Sequence, residues 1–502
     1  MANASDSGSS SQKESDDIVY GIDEQPPPGQ SVMLGVQHYL TMVGANIAVP
    51  LILAGAMGMP SDIAARFVGT FFVVSGIATL AQTTLGNQYP IVQGAPFSML
   101  APALSVVGVV TASDAAGWQT ALVQLQGAII VAGAAEVAIG YFGVIGRLKA
   151  YLSPVVIAPT IALIGLSLFN APQITAANQS WPLLGLTVGL ILLFSQYLDV
   201  KHRAFRLYPI VLALAAAWIV AAALSVAGVF GSSHPGYVDL GQVATTQALF
   251  PIYPLQWGTP QFSLPFIIAE SVGDYYAVAS LTGTGAPSKR RINHGIGMEG
   301  LMNVFSGLMG TSGSTSYSEN IGAIGLTGVA SRYVVQVGAL VMIVVGFVGY
   351  FGQLIVTIPD PIVGGLFIAM FGQIVAVGLS TLQHVDLGSR RNVFIVGFAL
   401  FVGLSIPNYM SNFAGPVAFR EAVGFTAASA SLPAAIVPAL QILLDTVFIV
   451  GSTGMAIGGL TALFLDNTIT GTREERGLKR WEELAESAAD FDPWWTRWLS
   501  SN

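Results

Sequence analysis

The chain has 502 residues, of which 53% are hydrophobic and only 9% are charged, with a formal net charge of −8. A soluble domain carries about 25% charged residues, so this composition excludes a soluble globular protein, and its apolar content excludes a chain that is disordered throughout. We therefore expect a membrane protein that crosses the bilayer many times.

The two ends of the chain are polar. Residues 1–30 contain seven charged residues, are rich in Ser and Asp and include three consecutive prolines, which predicts a disordered tail. Residues 472–502 contain twelve charged residues and are predicted to form a second tail. The body between the tails is weakly acidic, which argues against a nucleic-acid partner. The sequence has no Cys, so disulfides and thiolate metal sites are excluded.

Runs of about 20 mostly apolar residues indicate membrane-spanning helices. The fold class that we predict is an all-α polytopic membrane protein with about fourteen spans. In chain order, the candidates lie near residues 32–54, 64–85, 93–110, 119–142, 154–170, 183–198, 206–229, 262–282, 294–310, 317–330, 333–357, 361–380, 392–407 and 432–465. The last run fits one tilted span or a broken one, and the assignment of 408–431 is ambiguous.

Spans 3 and 10 are poor helix formers. Residues 87–102 contain three prolines, and residues 310–328 are crowded with Gly, Ser and Thr. Non-helical backbone at membrane depth is tolerated where it lines a cavity or is buried in protein. Because the two segments are seven spans apart, they indicate a 7+7 inverted repeat with a central binding site.

Basic residues predict the orientation of the spans, because cytoplasmic loops are enriched in Lys and Arg. They follow even-numbered spans at Arg147, Lys149, Lys201, Arg203, Arg206, Lys289, Arg290, Arg291, Arg332, Arg390 and Arg391. Arg66 and Arg420 are the exceptions. The even-span loops and both termini are therefore expected in the cytoplasm, although this bias does not separate twelve spans from fourteen.

Acidic residues inside spans are candidates for function, since each costs roughly 2.5–3.5 kcal/mol on insertion scales. Span 8 contains Glu270 and Asp274 on one helical face, span 9 contains Glu299, and span 10 contains Glu319 beside Asn320. These spans contain no Lys or Arg, so we expect a cation or proton together with a polar substrate.

Each acidic residue could instead have a structural role rather than a role in a site. Glu270 and Asp274 fit a protonated structural pair, Glu319 with Asn320 fits a helix cap, and Glu299 fits a place near the membrane interface. Glu136 stands alone in span 4, where a structural hydrogen bond is favoured over a site role. His38 follows Gln37 in span 1; a lone His is more often a packing residue, but such a polar pair is unusual there.

A carboxylate beside an amide is complementary to a nucleobase, which presents N–H donors and C=O acceptors on one flat edge. Backbone amides at Gly94–Phe97 are expected to bond the carbonyl groups of such a ligand. No Walker A motif occurs, so ATP-driven transport is unsupported. An intramembrane hydrolase is disfavoured, because no nucleophile–base pair or metal-ligand spacing accompanies the acids.

Several segments resemble the nucleobase–ascorbate transporter family, and the similarity runs in order from about residue 31 to 480. The family signature corresponds to ENIGAIGLTG at 319–328. Further similar segments are QHYLTMVG (37–44), PIVQGAPFSMLAP (90–102), LFSQYL (193–198), ESVGDYY (270–276), SRYVVQ (331–336), DPIVGGLF (360–367) and FLDNTITGTREERGL (464–478).

The resemblance implies a core domain and a gate domain that move against each other in a homodimer. The core comprises 31–150 (spans 1–4) and 262–358 (spans 8–11). The gate comprises 151–230 (spans 5–7) and 359–471 (spans 12–14), with an extracellular loop at 231–261. Short antiparallel β-strands in spans 3 and 10 are expected to meet at the site.

The resemblance also implies roles for single residues. Substrate binding is expected of Glu270, Glu319, Asn320, Gly94, Ala95 and Phe97. Cation coupling is expected of Asp274, Glu299, His38 and Ser316. Na⁺, with Asp274 as a ligand, is weakly favoured over H⁺, and no other cofactor is expected.

The choice of substrate depends on the first signature residue. The local sequence is similar to that of the animal sodium-coupled vitamin C branch, but that branch has Pro where this chain has Glu319. An ionised Glu319 repels anionic ascorbate, so a neutral nucleobase such as uracil or xanthine is favoured. The alternatives are Na⁺-coupled ascorbate transport and, less favoured, a passive anion channel. The expected location is the plasma membrane.

Overall fold

The computed structural model describes residues 19–111, 117–143, 151–176, 178–262, 288–317, 327–413, 415–425 and 436–478, with 324, 429, 432 and 433. The protein is mostly helical. In the first half of the chain the main elements are α1 Pro28–Met57, α2 Ser61–Thr84, β1 Gln93–Gly94, α3 Leu100–Thr111, α4 Trp118–Tyr141, α5 Pro154–Leu166, α6 Trp181–Leu192 and α7 Pro209–Val226.

The second half of the chain contains the remaining main elements. They are α8 Lys289–Met309, β2 Thr315–Ser316, α9 Arg332–Phe347, α10 Gly349–Val356, α11 Asp360–Ser380, α12 Arg390–Met410, α13 Val437–Ser452 and α14 Gly454–Thr468. Shorter helical segments are Pro172–Thr175, Leu193–Tyr197, Arg203–Leu207, Leu240–Thr245, Thr381–His384 and Pro416–Ala422.

Proline and serine define many helix starts. Proline occupies the first turn of α1, α5, α6, α7 and α11, where its missing N–H costs no hydrogen bond. The hydroxyls of Ser288 and Ser331 accept from backbone N–H groups in the first turns of α8 and α9. Helices α1 and α8 end at glycines in the left-handed conformation, Gly58 and Gly310.

Six helices within the described ranges are long and apolar enough to cross a membrane: α1, α2, α4, α7, α11 and α12. Helices α13 and α14 together form a seventh candidate, bent by 95°. Four further apolar helices are shorter. The total of fourteen spans, the inverted repeat and the interruption of spans 3 and 10 stay predictions, and residues 263–287, which include most of span 8, lie outside the described residues.

The helices associate across the two halves of the chain. Helix α8 packs on α4, and α9 packs on α1 and α2. Glycines allow close approach: a Cβ atom on Gly338 would lie 2.6 Å from the carbonyl oxygen of Gly35, and one on Gly300 would lie 2.4 Å from the amide nitrogen of Val137. We refer to α1–α4 with α8–α10 as the core group.

The remaining helices form a second set, α5–α7 with α11–α14, that we refer to as the gate group. Helix α5 packs on α11 and α14, and α12 packs on α14. A Cβ atom on Gly454 would lie 2.5 Å from the carbonyl oxygen of Gly403. These contacts describe packing only. The division into a moving core domain and a gate domain stays a prediction.

Residues 19–30 are ordered, so the prediction of a disordered tail over 1–30 is wrong for this part. Tyr20 forms a parallel bridge with Val329, and the Arg332 N–H donates to the Ile22 carbonyl at 3.0 Å. Arg332 Nε also lies 2.6 Å from Asp23 Oδ1. Backbone hydrogen bonds, which composition does not reveal, attach this segment to the core group.

The segment 231–261 is predicted as an extracellular loop, and its later part, residues 240–261, packs on one end of the core group. The backbone N–H of Leu255 donates to the Leu308 carbonyl at 2.7 Å, and Trp257 Nε1 donates to the Met309 carbonyl at 3.1 Å. Arg66 donates to Gln256 Oε1 at 2.6 Å and lies over the Trp257 ring. The side of the membrane on which this segment lies stays a prediction.

Candidate functional site

The strands β1 and β2 pair in antiparallel orientation, with Gln93 opposite Ser316 and Gly94 opposite Thr315. Prolines before and after β1 prevent a continuous helix there, because proline donates no backbone hydrogen bond. Gly310 and Gly313 adopt positive φ angles of 86° and 109° before β2, which ends α8 and turns the chain. The pairing brings together segments from the two halves of the sequence.

Helix α2 holds the backbone of β1. The N–H of Gln93 donates to Thr79 Oγ1 at 2.9 Å, and the hydroxyl of Ser75 donates to the Gln93 carbonyl. Both hydroxyl-bearing side chains are buried. Both backbone groups of Gln93 are therefore hydrogen-bonded by side chains of α2. This explains how a segment that is not helical is buried in the core group.

The segment Gly94–Phe97 is fixed from both sides. Asn46 Oδ1, on α1, accepts from the N–H of Ala95 at 3.2 Å, and the hydroxyl of Tyr317 donates to the Ala95 carbonyl at 2.6 Å. A Cβ atom on Gly94 would lie 2.5 Å from the Tyr317 ring, so this close approach requires glycine. In this conformation the Ala95 amide is bonded to Asn46, and the role of the amides at Gly94–Phe97 in binding a ligand stays a prediction.

Asn46 was missed by sequence reasoning. Its side chain is fully buried, and its Nδ2 donor has no hydrogen-bond partner among the described residues. Because Oδ1 must accept from Ala95, the orientation of the amide is fixed and the donor remains available. A buried donor without a partner costs free energy, which points to a ligand or a water at this place. The sequence signal for it is a second amide in span 1, nine residues after Gln37.

Glu299 and Ser316 lie at β2, where they were expected to take part in the site. Thr315 Oγ1 donates to Glu299 Oε1 at 2.7 Å, and Gln93 Nε2 donates to Ser316 Oγ at 3.0 Å. Glu299 is only 2% exposed. Glu299 is thus a buried carboxyl group bonded to β2, whereas its depth in the membrane and its role in cation coupling stay predictions.

Phe97 connects the strand pair to the gate group. Its ring meets that of Phe371, on α11, edge to face with the ring centroids 5.9 Å apart. Both side chains are buried in the main hydrophobic core. The site region therefore lies where the core group touches the gate group.

His38 is buried and hydrogen-bonds the backbone of Val329, just after the signature segment. The structure thus places His38 at the end of that segment. Its role in coupling stays a prediction.

Four of the predicted site residues, Glu270, Asp274, Glu319 and Asn320, lie outside the described residues. Their roles stay predictions. The last described residue before Glu319 and Asn320 is Tyr317, whose N–H donates to the Val92 carbonyl at 3.0 Å. Within the described ranges there is no group of three or more His, Cys, Asp or Glu side chains that would hold a metal ion.

Comparisons with known proteins agree with the resemblance seen in the sequence. A family model described as "Permease family" matches residues 29–411. Solute carrier family 23 member 2 of Mus musculus is 38% identical, covering 96% of this chain and 79% of that protein. Nucleobase-ascorbate transporter 1 of Arabidopsis thaliana is 32% identical, covering 93% of this chain and 92% of that protein.

A solved structure supports the fold. The transmembrane domain of the cyanobacterial bicarbonate transporter BicA aligns with a TM-score of 0.50 at 18% identity, covering 86% of this chain and 99% of that chain. At this identity the likeness concerns the fold alone.

The family model and the relatives confirm both the predicted family and its branch. A multi-pass membrane protein follows from the family and from the apolar helices. This chain belongs to the permease family that includes the solute carrier family 23 members and the nucleobase-ascorbate transporters.

Proposed function

We propose that this protein is a secondary active transporter that couples uptake of a nucleobase, such as uracil or xanthine, to a Na⁺ or H⁺ gradient. The observation that carries the proposal is the antiparallel pairing of β1 with β2. It joins two segments that lie 223 residues apart in sequence and that the sequence predicts to be interrupted spans. Such paired interruptions near the middle of a membrane protein are typical of the substrate sites of secondary transporters.

Recognition of the base is assigned to the residues around this strand pair. Glu319 and Asn320 follow Tyr317 by two and three positions, and Glu270 supplies a second carboxylate from span 8. A carboxylate accepts N–H bonds from the base, and an amide offers one donor and one acceptor. Gly94, Ala95 and Phe97 supply the opposite wall, with Phe97 positioned for contact with a flat ring.

Ascorbate is a comparably supported alternative substrate. The plant relatives are named nucleobase-ascorbate transporters, so the name of the family admits both ligands. The residue that favours a nucleobase is Glu319, since an ionised carboxylate repels an anionic substrate. The amide donor of Asn46 serves either ligand, because both carry carbonyl oxygens.

The coupling cation is proposed to bind near Asp274 and Glu299, with His38 and Ser316 as further contributors. Glu299 supports this assignment, because it is a buried carboxylate bonded to β2. Carboxylate and hydroxyl oxygens are hard ligands and suit Na⁺, whereas a carboxylate alone is sufficient for a proton. Uptake driven by a Na⁺ gradient or by a proton gradient distinguishes the two cations.

The transport cycle is proposed to be elevator-like, with the core group moving against the gate group in a homodimer in the plasma membrane. The two groups meet at Phe97 and Phe371, next to the strand pair. Movement at this contact would expose the site alternately to the two sides of the membrane. We propose further that both termini face the cytoplasm and that the protein performs no chemical turnover.

The proposal is tested by uptake into vesicles that contain the purified protein. Labelled uracil, xanthine, adenine and ascorbate are each supplied with a Na⁺ gradient, with a proton gradient, and with Na⁺ replaced by choline. We expect accumulation of uracil or xanthine that depends on one gradient. Accumulation of ascorbate alone would support the alternative substrate, and no accumulation of any compound would refute the function. Trans-stimulation by internal substrate distinguishes a carrier from a passive channel.

Glu319→Gln tests the recognition of the base. The variant loses the negative charge and one strong acceptor, so we expect uracil uptake to fall by at least about tenfold. Glu421→Gln, at an exposed position in the Pro416–Ala422 helix, is the matched control. Unchanged uracil kinetics in Glu319→Gln would contradict the assigned role.

A further inference from the structure

A chain of buried hydrogen bonds runs from α4 through α8 to the start of β2. Glu136 Oε2 accepts from Asn303 Nδ2 at 2.7 Å, and Asn303 Oδ1 accepts from the backbone N–H of Ser314 at 2.6 Å. Glu136 is 5% exposed, and Asn303 and Ser314 are each 1% exposed. This series of hydrogen bonds ends at Ser314, one residue before Thr315, the first residue of β2.

The donors and acceptors in these hydrogen bonds determine which way the Asn303 amide faces. The Ser314 N–H is a donor, so the oxygen of the Asn303 amide must face it and the NH₂ group must face Glu136. Two glycines leave the Asn303 side chain little room. A Cβ atom on Gly133 would lie 2.9 Å from Asn303 Cβ, and one on Gly313 would lie 3.1 Å from Asn303 Oδ1. The amide therefore has one available orientation.

Three consecutive residues at β2 are each anchored to a different partner. Ser314 is held by Asn303, Thr315 by Glu299, and Ser316 by Gln93. On the other strand, the anchors of Gln93 are the neutral hydroxyls of Ser75 and Thr79. The β2 side is thus the one connected to buried carboxyl groups, directly to Glu299 and through Asn303 to Glu136.

We infer that Glu136 and Asn303 are positioning residues for the substrate site. They hold the segment before β2 so that Thr315 and Ser316 stay opposite Gly94 and Gln93, and so that the signature residues that follow are presented to the ligand. Neither residue is assigned a contact with the substrate. The effect of these two residues on transport rests on the proposed function. Their effect on the pairing of β1 with β2 does not depend on any substrate.

The inference is tested first by exchanging the carboxyl group of Glu136 and the amide group of Asn303 between the two positions. Asn303→Asp still accepts from Ser314 but places a carboxylate against Glu136, so the two groups repel. Adding Glu136→Gln supplies an NH₂ donor and restores a complementary pair. We expect Asn303→Asp to raise the apparent KM for the transported substrate by about tenfold or more, and the double variant to recover most of that loss.

A role in stability alone predicts a different result. In that case the single variant would lower the amount of folded protein and its unfolding temperature while the KM of the remaining transporter stayed unchanged. An unchanged KM in Asn303→Asp, or a double variant that recovers nothing, would overturn the inference. Glu421→Gln serves again as the matched exchange at an exposed position.

A second measurement needs no substrate and uses the absence of natural cysteines. Gln93→Cys with Ser316→Cys places a cysteine pair at directly opposed positions of β1 and β2. Disulfide formation on oxidation then reports how well the strands are paired. We expect a high yield in this background, a fall to less than about half with Asn303→Asp, and recovery when Glu136→Gln is added.

The two measurements separate the inference from the proposed function. If the wild-type protein transports no substrate, the proposed function fails, and the disulfide yield still decides the positioning role. A yield that Asn303→Asp leaves unchanged would refute that role, even in a protein that transports normally.

Discussion

Asn46 contributes a buried donor beside the strand pair, and its role is testable at the scale of one residue. Asn46→Asp keeps the oxygen that accepts from Ala95 and removes the Nδ2 donor. Because a ligand carbonyl would lose its partner and meet a carboxylate, we expect the apparent KM for uptake to rise by about tenfold, a difference of about 1.4 kcal/mol. The measurement is the KM and Vmax of uptake at equal amounts of transporter.

Asn412→Asp is the control for this variant, since Asn412 is exposed and its side chain donates to the Tyr409 carbonyl of the preceding helix. An Asn46→Asp protein with normal KM would show that the donor faces a water molecule rather than the substrate.

The two arginines that break the charge bias of the loops are both compensated locally. Arg66 is bound by Gln256 and lies over an aromatic ring, and Arg420 forms an ion pair with Asp445 at 2.7 Å. The positive-inside rule counts charges by sequence position and does not register such partners. The exceptions are therefore consistent with the predicted orientation, which stays a prediction.

At the scale of elements, a buried aspartate joins three helices of the gate group. Asp466, on α14, lies 2.9 Å from Arg391 of α12 and 2.7 Å from Arg476, and it accepts from Ser153 at the start of α5 at 2.7 Å. Its side chain is fully buried. The motif at 464–478 was noted in the sequence as a resemblance only, and the structure shows this packing role.

Asp466→Ala is expected to destabilise the protein strongly, because it leaves two arginines without their carboxylate partner. Breaking a buried ion pair in this way costs about 3–5 kcal/mol. The unfolding temperature of the detergent-solubilised protein measures the loss. Asp23→Ala removes a partner whose side chain is 70% exposed, so it should cost about 1 kcal/mol or less. Equal shifts in the two variants would contradict the role of Asp466.

The sequence predicted where most helices lie, because apolar runs report burial in the bilayer directly. It did not predict their partners. The close contacts of α4 with α8 and of α9 with α1 depend on single glycines such as Gly35 and Gly338. Glycine occurs 57 times in this chain, and its frequency does not reveal which positions face another backbone.

At the scale of the whole molecule, relative movement of the two helix groups is testable by cross-linking. Gly44 on α1 and Ile210 on α7 face each other across the groups: a Cβ atom on Gly44 would lie 3.9 Å from Ile210 Cβ. That separation suits a disulfide. We expect the variant Gly44→Cys with Ile210→Cys to lose uptake on oxidation and to regain it on reduction.

The matched control is a pair inside the gate group. A Cβ atom on Gly459 of α14 would lie 3.7 Å from Thr160 Cβ on α5. The variant Thr160→Cys with Gly459→Cys should form a disulfide and retain uptake, because these helices are proposed to move together. Full transport with the Gly44–Ile210 bridge closed would exclude sliding of the core group against the gate group.

The sequence by itself determined the class of protein and the family, because low charge, long apolar runs and an ordered series of motifs are local properties. It also identified the acids of spans 8–10 as candidates. Only the tertiary structure decided that Gln93 meets Ser316, that Asn46 occupies the Ala95 amide, and that Glu136 reaches β2 through Asn303. These contacts join residues far apart in sequence, and hydrogen bonds of that kind depend on how the helices pack.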